Sequence, residues 1–171
     1  GNSYKVRLLL ALLGRDCEIV DVEDSSAEIA SARAGGRLPF GKAPVLELDD
    51  GQLLPESNAI LCWLGEGTRF MPADAFSRAQ MLSWMFWEQN QHEGTVAVRG
   101  ALLYYPPRRH LATPERMAEL LEKGHANLQI MEDRLAGHDW LAGDAVSLAD
   151  ICLYGYTHTA GSRGGSANRS I

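Results

Sequence analysis

The stretch from residue 39 to residue 65 constrains the fold more than any other part of the chain. Pro44–Leu48 has the composition of a strand, and the Asp-Gly pair at 50–51 is typical of a two-residue hairpin turn. Gln52–Leu54 returns as the antiparallel partner, and a proline then stops the ladder. Glu56-Ser57 opens a helix. The sequence therefore predicts strand, turn, strand and helix in direct succession.

Two helices with a strand between them are predicted ahead of this stretch. Ser3–Leu13 is rich in good helix formers, with Asn2 or Ser3 as its N-cap and a glycine at its end, and its apolar positions predict burial nearly all round. Cys17–Val22 alternates as a strand does. Ser25–Ala34 predicts a weak second helix, capped by one of its first two serines and ended by two glycines.

The second half of the chain predicts helices only. Ala75–Leu103 forms one helix ended by two prolines, and Thr113–Leu135 opens with a capping threonine and a proline at the first position. Ser147–Asp150 has capping-box spacing and leads a further helix. The fold class is therefore an α/β domain followed by an all-α domain. The expected boundaries are 1–66, a linker over 67–74 that includes Phe70–Asp74, a helical domain over 75–160, and a disordered tail over 161–171.

Composition excludes several classes of function. The 171 residues carry 16 basic and 22 acidic side chains, a net charge of −6, which disfavours nucleic-acid and membrane-surface binding. No apolar run approaches the ~20 residues of a spanning helix. Three widely spaced cysteines and no leader pattern predict a cytoplasmic protein. The HExxH pattern is incomplete and CxxC is absent, so we expect no metal and no resident cofactor.

Three short segments are candidates for ligand binding. Lys42-Ala43-Pro44 is either an ordinary turn or holds a cis Ala43–Pro44 bond, which would leave the Ala43 backbone able to pair with an extended peptide. Glu56-Ser57 is either a helix cap or a clamp for an amino-acid head group. The clamp would offer a carboxylate to the ammonium, and a hydroxyl with the free backbone N–H groups of a helix N-terminus to the carboxylate. Asn2-Ser3 is either a cap or a stabiliser of a thiolate.

An aromatic group in the helical half has two interpretations. Core packing accounts for most of its members, and one or two of them are candidates for the wall of an apolar pocket at the domain junction. The group consists of Trp84, Phe86, Trp87, Tyr104 and Tyr105.

Together these segments resemble a known family. Asn2–Arg7 opening a helix, Pro39–Leu46, and Glu56–Ile60 are similar to a bacterial cytosolic glutathione S-transferase, and the resemblance covers roughly Gly1–Thr159. It implies a thioredoxin-like first domain, an all-helical second domain, a homodimer, and glutathione as co-substrate rather than a bound cofactor.

The resemblance also implies residue roles. Glutathione would lie along the Pro44 strand, with Ala43 pairing with its cysteinyl backbone and Lys42 near its glycine end. Glu56 and Ser57 would hold its γ-glutamyl head group. Asn2, with Ser3 as the weaker candidate, would lie beside the thiolate, which would attack a small apolar electrophile held against the helical domain.

The chain departs from the family pattern at both ends. It begins at the first helix, so the family's first strand is expected to be missing, and its final segment matches none of the family's later helices. We therefore expect a fragment, with unpaired backbone groups beside the lost strand and reduced stability or activity. Glutathione-dependent disulfide or peroxide reduction and a non-catalytic binding or interaction module remain the alternative functions.

Overall fold

In the computed structural model, which describes residues 1–22 and 26–161, the chain begins with helix α1 over Asn2–Leu13. Gly14 follows with φ 62°, and the Arg15 N–H donates to the Leu10 carbonyl at 3.0 Å. This six-to-one bond ends the helix at its glycine, as the sequence predicts. The prediction of burial all round is wrong, because α1 buries a single face. The buried residues of that face are Lys5, Val6, Leu9 and Leu10.

The segment Cys17–Val22 is not a strand. Ile19 and Val20 are 51% and 74% exposed, and the described residues contain a sheet of two strands only, both elsewhere in the chain. An alternating pattern becomes a strand only where a neighbour accepts its backbone hydrogen bonds. The strand prediction is therefore wrong.

Helix α2 covers Ala27–Ala34, and Ser26 caps it by accepting from the Ile29 N–H at 3.2 Å. The other serine considered for this cap, Ser25, lies outside the described residues. Gly35 stands at the C-cap, as the sequence predicts.

A tight hairpin follows α2 and leads into helix α3. Strand β1, Val45–Glu47, pairs antiparallel with β2, Leu53–Pro55. Gly51 has φ 83° in the connecting turn, a conformation that glycine adopts without a steric cost. Helix α3 then covers Ser57–Gly65. The hairpin and the helix confirm the predicted succession of elements.

The chain divides into an N-terminal unit, Asn2–Gly67, and a C-terminal unit, Thr68–Ile171 with Gly1. In the N-terminal unit α1 packs against α3, and Leu9, Ile60 and Leu61 are fully buried there. The finer boundaries predicted from sequence, including the linker over 67–74, stay predictions. The predicted tail lies outside the described residues beyond its first glycine.

The described part of the C-terminal unit contains helices joined by turns and loops, and no strand. The helix predicted over Ala75–Leu103 contains a π-helical segment that the sequence did not predict. The prolines after it begin a short 3₁₀ helix. None of the helices in residues 1–22 and 26–161 is long and apolar enough to cross a bilayer. The helices are α4 (Ala75–Trp87), the π-helical segment (Glu88–Ala97), α5 (Val98–Tyr104), a 3₁₀ helix (Pro106–Leu111), α6 (Pro114–Leu135) and α7 (Leu148–Thr157).

Both capping motifs predicted in this unit are confirmed. Thr113 caps α6 by accepting from the Arg116 N–H at 3.2 Å. Ser147 and Asp150 form the predicted capping box, in which the Asp150 carboxylate accepts from the Ser147 N–H at 2.8 Å. These starts need only local side-chain bonds, which explains why a local pattern predicts them.

Candidate functional site

The register of the hairpin brings two predicted ligand-binding segments to the same end of the sheet. Val45 lies opposite Pro55, so Pro44 and Glu56, the next residues outward, leave the ladder side by side. The Ala43–Pro44 peptide bond is cis. Of the two interpretations that the sequence left open, an ordinary turn and a cis bond, the structure thus has the second. Ala43 is exposed. We call this end of the sheet, with the helix starts beside it, the corner.

Glu56 stands in the corner in an unusual backbone conformation. Its φ is 70° and its ψ is 114°, and it is the only non-glycine residue with positive φ in the part of the chain that the structure describes. Glu56 occupies the N-cap position of α3, yet its side chain makes no capping hydrogen bond and the residue is exposed. Such a conformation costs of order 1–3 kcal/mol. The interpretation of Glu56 as a helix cap is therefore wrong.

Ser57 joins the start of α3 to the start of α1. Its Oγ donates to Oδ1 of Asn2 at 3.2 Å, across 55 positions of sequence, and Ser57 is 3% exposed. Each helix begins at one of these two residues. The first N–H groups of a helix lack partners within the helix and carry the positive end of its dipole. Two such ends at one corner suit an anionic group such as a carboxylate or a thiolate.

For Lys42 and Ser3, the remaining predicted residues of the site, the structure shows exposure and position along the chain rather than a specific contact. Lys42 is exposed, one residue before Ala43. Ser3 is also exposed and, one residue after Asn2, points about 100° further round α1. Both Asn2 and Ser3 lie inside α1, so neither occupies its N-cap position and the capping interpretation is wrong for both.

Cys62 lies on α3, away from its first turn. Burial raises the pKa of the Cys62 thiol, and the Glu66 carboxylate raises it further. A thiol with a raised pKa is a poor nucleophile at neutral pH. Cys62 is therefore not a candidate for thiol chemistry at the corner.

The predicted aromatic group does not behave as one cluster. Trp84 and Trp87 pack edge to face with ring centroids 5.4 Å apart, whereas Phe86 and Tyr104 are 65% and 61% exposed. Tyr105 has the Arg108 guanidinium 5.8 Å from its ring centroid. Core packing therefore does not account for Phe86 and Tyr104. The apolar pocket expected at the domain junction stays a prediction.

The π-helical segment carries buried polar side chains that sequence reasoning missed. Glu88 and His92 are fully buried. Oε2 of Glu88 lies 3.2 Å from the Cys152 thiol, which donates to it, and Nε2 of His92 lies 2.9 Å from Oγ1 of Thr157. π-Helical turns occur frequently at functional sites. The available signal was two polar residues continuing the helix face that begins with the apolar Met81 and Met85.

Asn127 of α6 extends this set of bonds. Its Nδ2 donates to the Gln91 carbonyl and to Oγ1 of Thr95, both at 3.0 Å, and Asn127 is 7% exposed. We call this group the buried network. Its members are the backbone carbonyl of Gln91 and the side chains of Glu88, His92, Thr95, Asn127, Cys152 and Thr157.

Two family models match the chain. One is described as glutathione S-transferase, N-terminal domain, over residues 2–66, and the other as glutathione S-transferase, C-terminal domain, over residues 95–169. The first covers the whole corner.

Individual proteins agree with these matches. A crystal structure of a glutathione S-transferase from Pseudomonas fluorescens is 38% identical with a TM-score of 0.88, covering 98% of this chain and 83% of that one. Glutathione S-transferase F14 of Arabidopsis thaliana is 37% identical over 146 residues, which are 81% of this chain and 57% of the relative. Elongation factor 1-gamma of Drosophila melanogaster is 25% identical over 153 residues, 90% of this chain and 34% of that protein. The chain thus spans less than two thirds of both curated relatives.

Proposed function

The chain belongs to the glutathione S-transferase family, and from that premise we propose that it binds glutathione at the corner and transfers the thiolate to small apolar electrophiles. The thioredoxin-like N-terminal domain and the all-helical C-terminal domain are those of the family. The observation that carries the proposal is the backbone of Glu56. The Glu56 backbone is held at φ 70°, at a cost in free energy, and its carboxylate does not cap the helix that follows. Binding of a ligand by this carboxylate explains why the cost is tolerated.

The γ-glutamyl head group of glutathione fits the groups at the corner. Its ammonium pairs with the exposed Glu56 carboxylate. Its carboxylate accepts from the Ser57 hydroxyl and from the first N–H groups of α3, which begins at the buried Ser57. Two adjacent residues, Glu56 and Ser57, thus supply a negative partner for the ammonium and a positively polarised helix end for the carboxylate.

The rest of glutathione extends from this clamp. The backbone of the exposed Ala43 pairs with the cysteinyl residue, and Lys42 lies towards the glycine carboxylate. The thiol then lies at the start of α1, beside Asn2 and, less directly, Ser3. A helix N-terminus favours the thiolate form, and holding it beside an electrophile lowers the barrier to conjugation.

Calorimetric titration with glutathione tests the clamp. Glu56→Ala and Ser57→Ala each remove a hydrogen bond to a charged group, so each is expected to weaken binding by roughly 1.5–3 kcal/mol. Glu115→Ala is the matched control, because Glu115 is likewise an exposed glutamate at the start of a helix, in the first turn of α6. Wild-type protein that binds glutathione while both corner variants bind it equally well contradicts the assignment.

Reduction of disulfides or peroxides by glutathione is the second candidate. It uses the same corner, and the presence of an asparagine, Asn2, at the start of α1 favours it. Rates of chlorodinitrobenzene conjugation and of reduction of a small mixed disulfide separate the two activities. Conjugation is expected to be the faster, and the reverse result assigns the chain to the reductases.

A non-catalytic binding or interaction module is the third candidate. The similarity to elongation factor 1-gamma favours it. Glutathione binding without turnover of either electrophile or disulfide would support this candidate against both enzymes.

We also propose that the protein acts as a homodimer in the cytoplasm, as the family resemblance implies. The cysteines of the described residues, Cys17, Cys62 and Cys152, are all free thiols, which suits a reducing compartment. Light scattering after gel filtration is expected to give twice the mass of one chain, and the mass of a single chain contradicts the dimer.

A further inference from the structure

The loop over residues 38–44 carries two of the residues that the proposed function places against glutathione. Ala43 would pair with its cysteinyl residue, and Lys42 would lie towards its glycine end. Neither residue belongs to a helix or a strand, so no ladder fixes their backbone. Fixing the backbone of a loop residue costs conformational entropy, and a loop that is ordered before the ligand arrives spares binding this cost.

An arginine of α2 holds the first half of this loop. Nε of Arg33 donates to the Gly41 carbonyl at 2.8 Å. The direction of this bond is unambiguous, because an arginine Nε–H only donates and a carbonyl oxygen only accepts. Gly41 also closes a turn, with φ 72° and its N–H donating to the Leu38 carbonyl at 2.8 Å. The N–H and the C=O of Gly41 are therefore both bonded, which fixes the peptide group that leads into Lys42.

The hairpin holds the other end of the loop. Val45, the residue after the loop, lies opposite Pro55 in the ladder. Residues 42–44 thus lie between this pair and the carbonyl that Arg33 holds, and one of them is a proline, whose φ is restricted. So short a segment between two anchors has few alternative conformations, and loss of the first anchor would restore them.

Two contacts attach α2 to its own unit. Ile29 is buried in the N-terminal unit, where it is 5% exposed. Arg37, beyond the end of the helix, pairs with the Glu47 carboxylate of β1. α2 is thus tied to the same hairpin that holds the far end of the loop, so Arg33 extends from an element that is itself fixed.

We propose that Arg33 is a positioning residue for glutathione binding, which holds the Gly41 carbonyl and thereby keeps the Lys42 and Ala43 backbone in the conformation that the tripeptide meets. This inference rests on the proposed function, because it concerns the same ligand. Arg33 acts through the loop and does not touch the ligand itself. Its effect is modest, because the bond to Gly41 is exposed to solvent.

Two substitutions separate the hydrogen bond of Arg33 from its charge. The side-chain nitrogen of glutamine stands as many bonds from Cα as Nε of arginine does, so Arg33→Gln keeps a donor at that place and loses the charge. Arg33→Lys keeps the charge and has a carbon at that place. If Arg33 positions the loop, Arg33→Ala and Arg33→Lys each weaken glutathione about fivefold, and Arg33→Gln stays within about twofold of wild type. Recovery by lysine without recovery by glutamine overturns the inference.

A second ligand tests whether Arg33 meets glutathione directly. The monoethyl ester of glutathione at its glycine carboxylate lacks the charge with which an arginine near that end would pair. A positioning role predicts that Arg33→Ala weakens glutathione and this ester by the same factor. Weakened binding of glutathione alone would indicate a direct ion pair and overturn the inference, while the proposed function stands. Wild-type protein that binds neither compound overturns the proposed function, and the inference with it.

Two readouts distinguish positioning from a general loss of structure. In conjugation assays, Arg33→Ala should raise KM for glutathione and leave kcat near its wild-type value. In nitrogen relaxation of the unliganded protein, the backbone order parameters of Lys42 and Ala43 are expected to fall from about 0.85 to below about 0.6 in Arg33→Ala, and to recover in Arg33→Gln. Order parameters that do not change overturn the inference, whatever the affinity for glutathione.

Arg15→Ala is the matched control. Arg15 is also an exposed arginine of the N-terminal unit, and among the described residues its side chain has no hydrogen-bond or ion-pair partner. Its loss changes the charge of the chain by the same amount and leaves the bond to Gly41 in place. The control is expected to keep wild-type affinity for both ligands. Equal losses in Arg15→Ala and Arg33→Ala would mean that charge alone is responsible, which overturns the inference.

Discussion

The corner and the buried network both depend on polar side chains, but they expose them differently. At the corner, Glu56 faces solvent in a costly backbone conformation and makes no capping bond to the helix that it precedes. In the buried network, Glu88, His92 and Asn127 are buried and bond to groups of their own unit. Buried groups that hydrogen-bond within their own unit help to stabilise a fold, whereas an exposed charge held at a conformational cost is available to a ligand. The comparison assigns stability to one region and binding to the other.

The largest expected effect tests the stability side of this comparison. Asn127→Ala removes the donor to the Gln91 carbonyl and to Oγ1 of Thr95. The carbonyl keeps the Thr95 hydroxyl as a donor at 3.1 Å, so only Oγ1 of Thr95 loses its donor. We expect the free energy of unfolding to fall by about 1–3 kcal/mol. Urea denaturation followed by tryptophan fluorescence measures it, since Trp87 stacks on His92 with centroids 5.8 Å apart.

The control for this variant is Asn90→Ala. Asn90 is exposed and donates to the Phe86 carbonyl, so its loss is expected to change stability by less than about 0.5 kcal/mol. Folded Asn127→Ala protein should bind glutathione as wild type does. Unchanged stability, or lost affinity in the folded protein, would show that the division between the two regions is wrong.

The second prediction separates stability from binding within the corner. Glu56→Gly is expected to raise the free energy of unfolding by about 0.5–1 kcal/mol, because glycine adopts φ 70° without steric cost. Glu56→Ala keeps the costly backbone and is expected to show no such gain. Both variants lose the carboxylate, so both should bind glutathione weakly.

Urea denaturation and calorimetry on the two variants check this prediction together. A glycine variant no more stable than the alanine variant would mean that the conformation of Glu56 carries no cost. The argument from strain to ligand binding would then lose its basis.

The smallest expected effect concerns Cys62 of α3 and the dependence of stability on pH. The pKa of Cys62 is raised by burial, so the unfolded chain deprotonates before the folded one as pH rises. The folded state then binds more protons, and its stability falls as pH increases beyond the ordinary cysteine pKa of about 8.5. Cys62→Ala should remove this part of the pH dependence.

Stability curves from about pH 7 to about pH 10 for wild type and Cys62→Ala measure the difference. Alkylation by iodoacetamide supplies an independent check, because the half-buried Cys62 should react more slowly than the exposed Cys17. Equal rates would show that the fold does not shield the Cys62 thiol.

Local signals predicted much of the fold and part of the site. The Asp-Gly turn, the Thr-Pro helix start and the Ser147–Asp150 capping box each work through bonds between residues a few positions apart, and the structure contains all three. Lys42-Ala43-Pro44 and Glu56-Ser57 were also recognisable as candidate binding segments, because they lie directly before and after the predicted hairpin. Cys17–Val22 failed as a strand for the opposite reason, since pairing needs a neighbour that local pattern does not supply.

By itself, the sequence determined the order of helices and strands, the ends of most of them, and the glutathione S-transferase family. Tertiary structure alone decided that Ser57 meets Asn2 across 55 positions, that Glu56 takes a positive φ, and that polar residues of the π-helical segment are buried. The physical reason is range. Turns and caps are stabilised within a few residues, whereas a buried hydrogen bond or a costly dihedral persists only when packing by distant parts of the chain holds it in place.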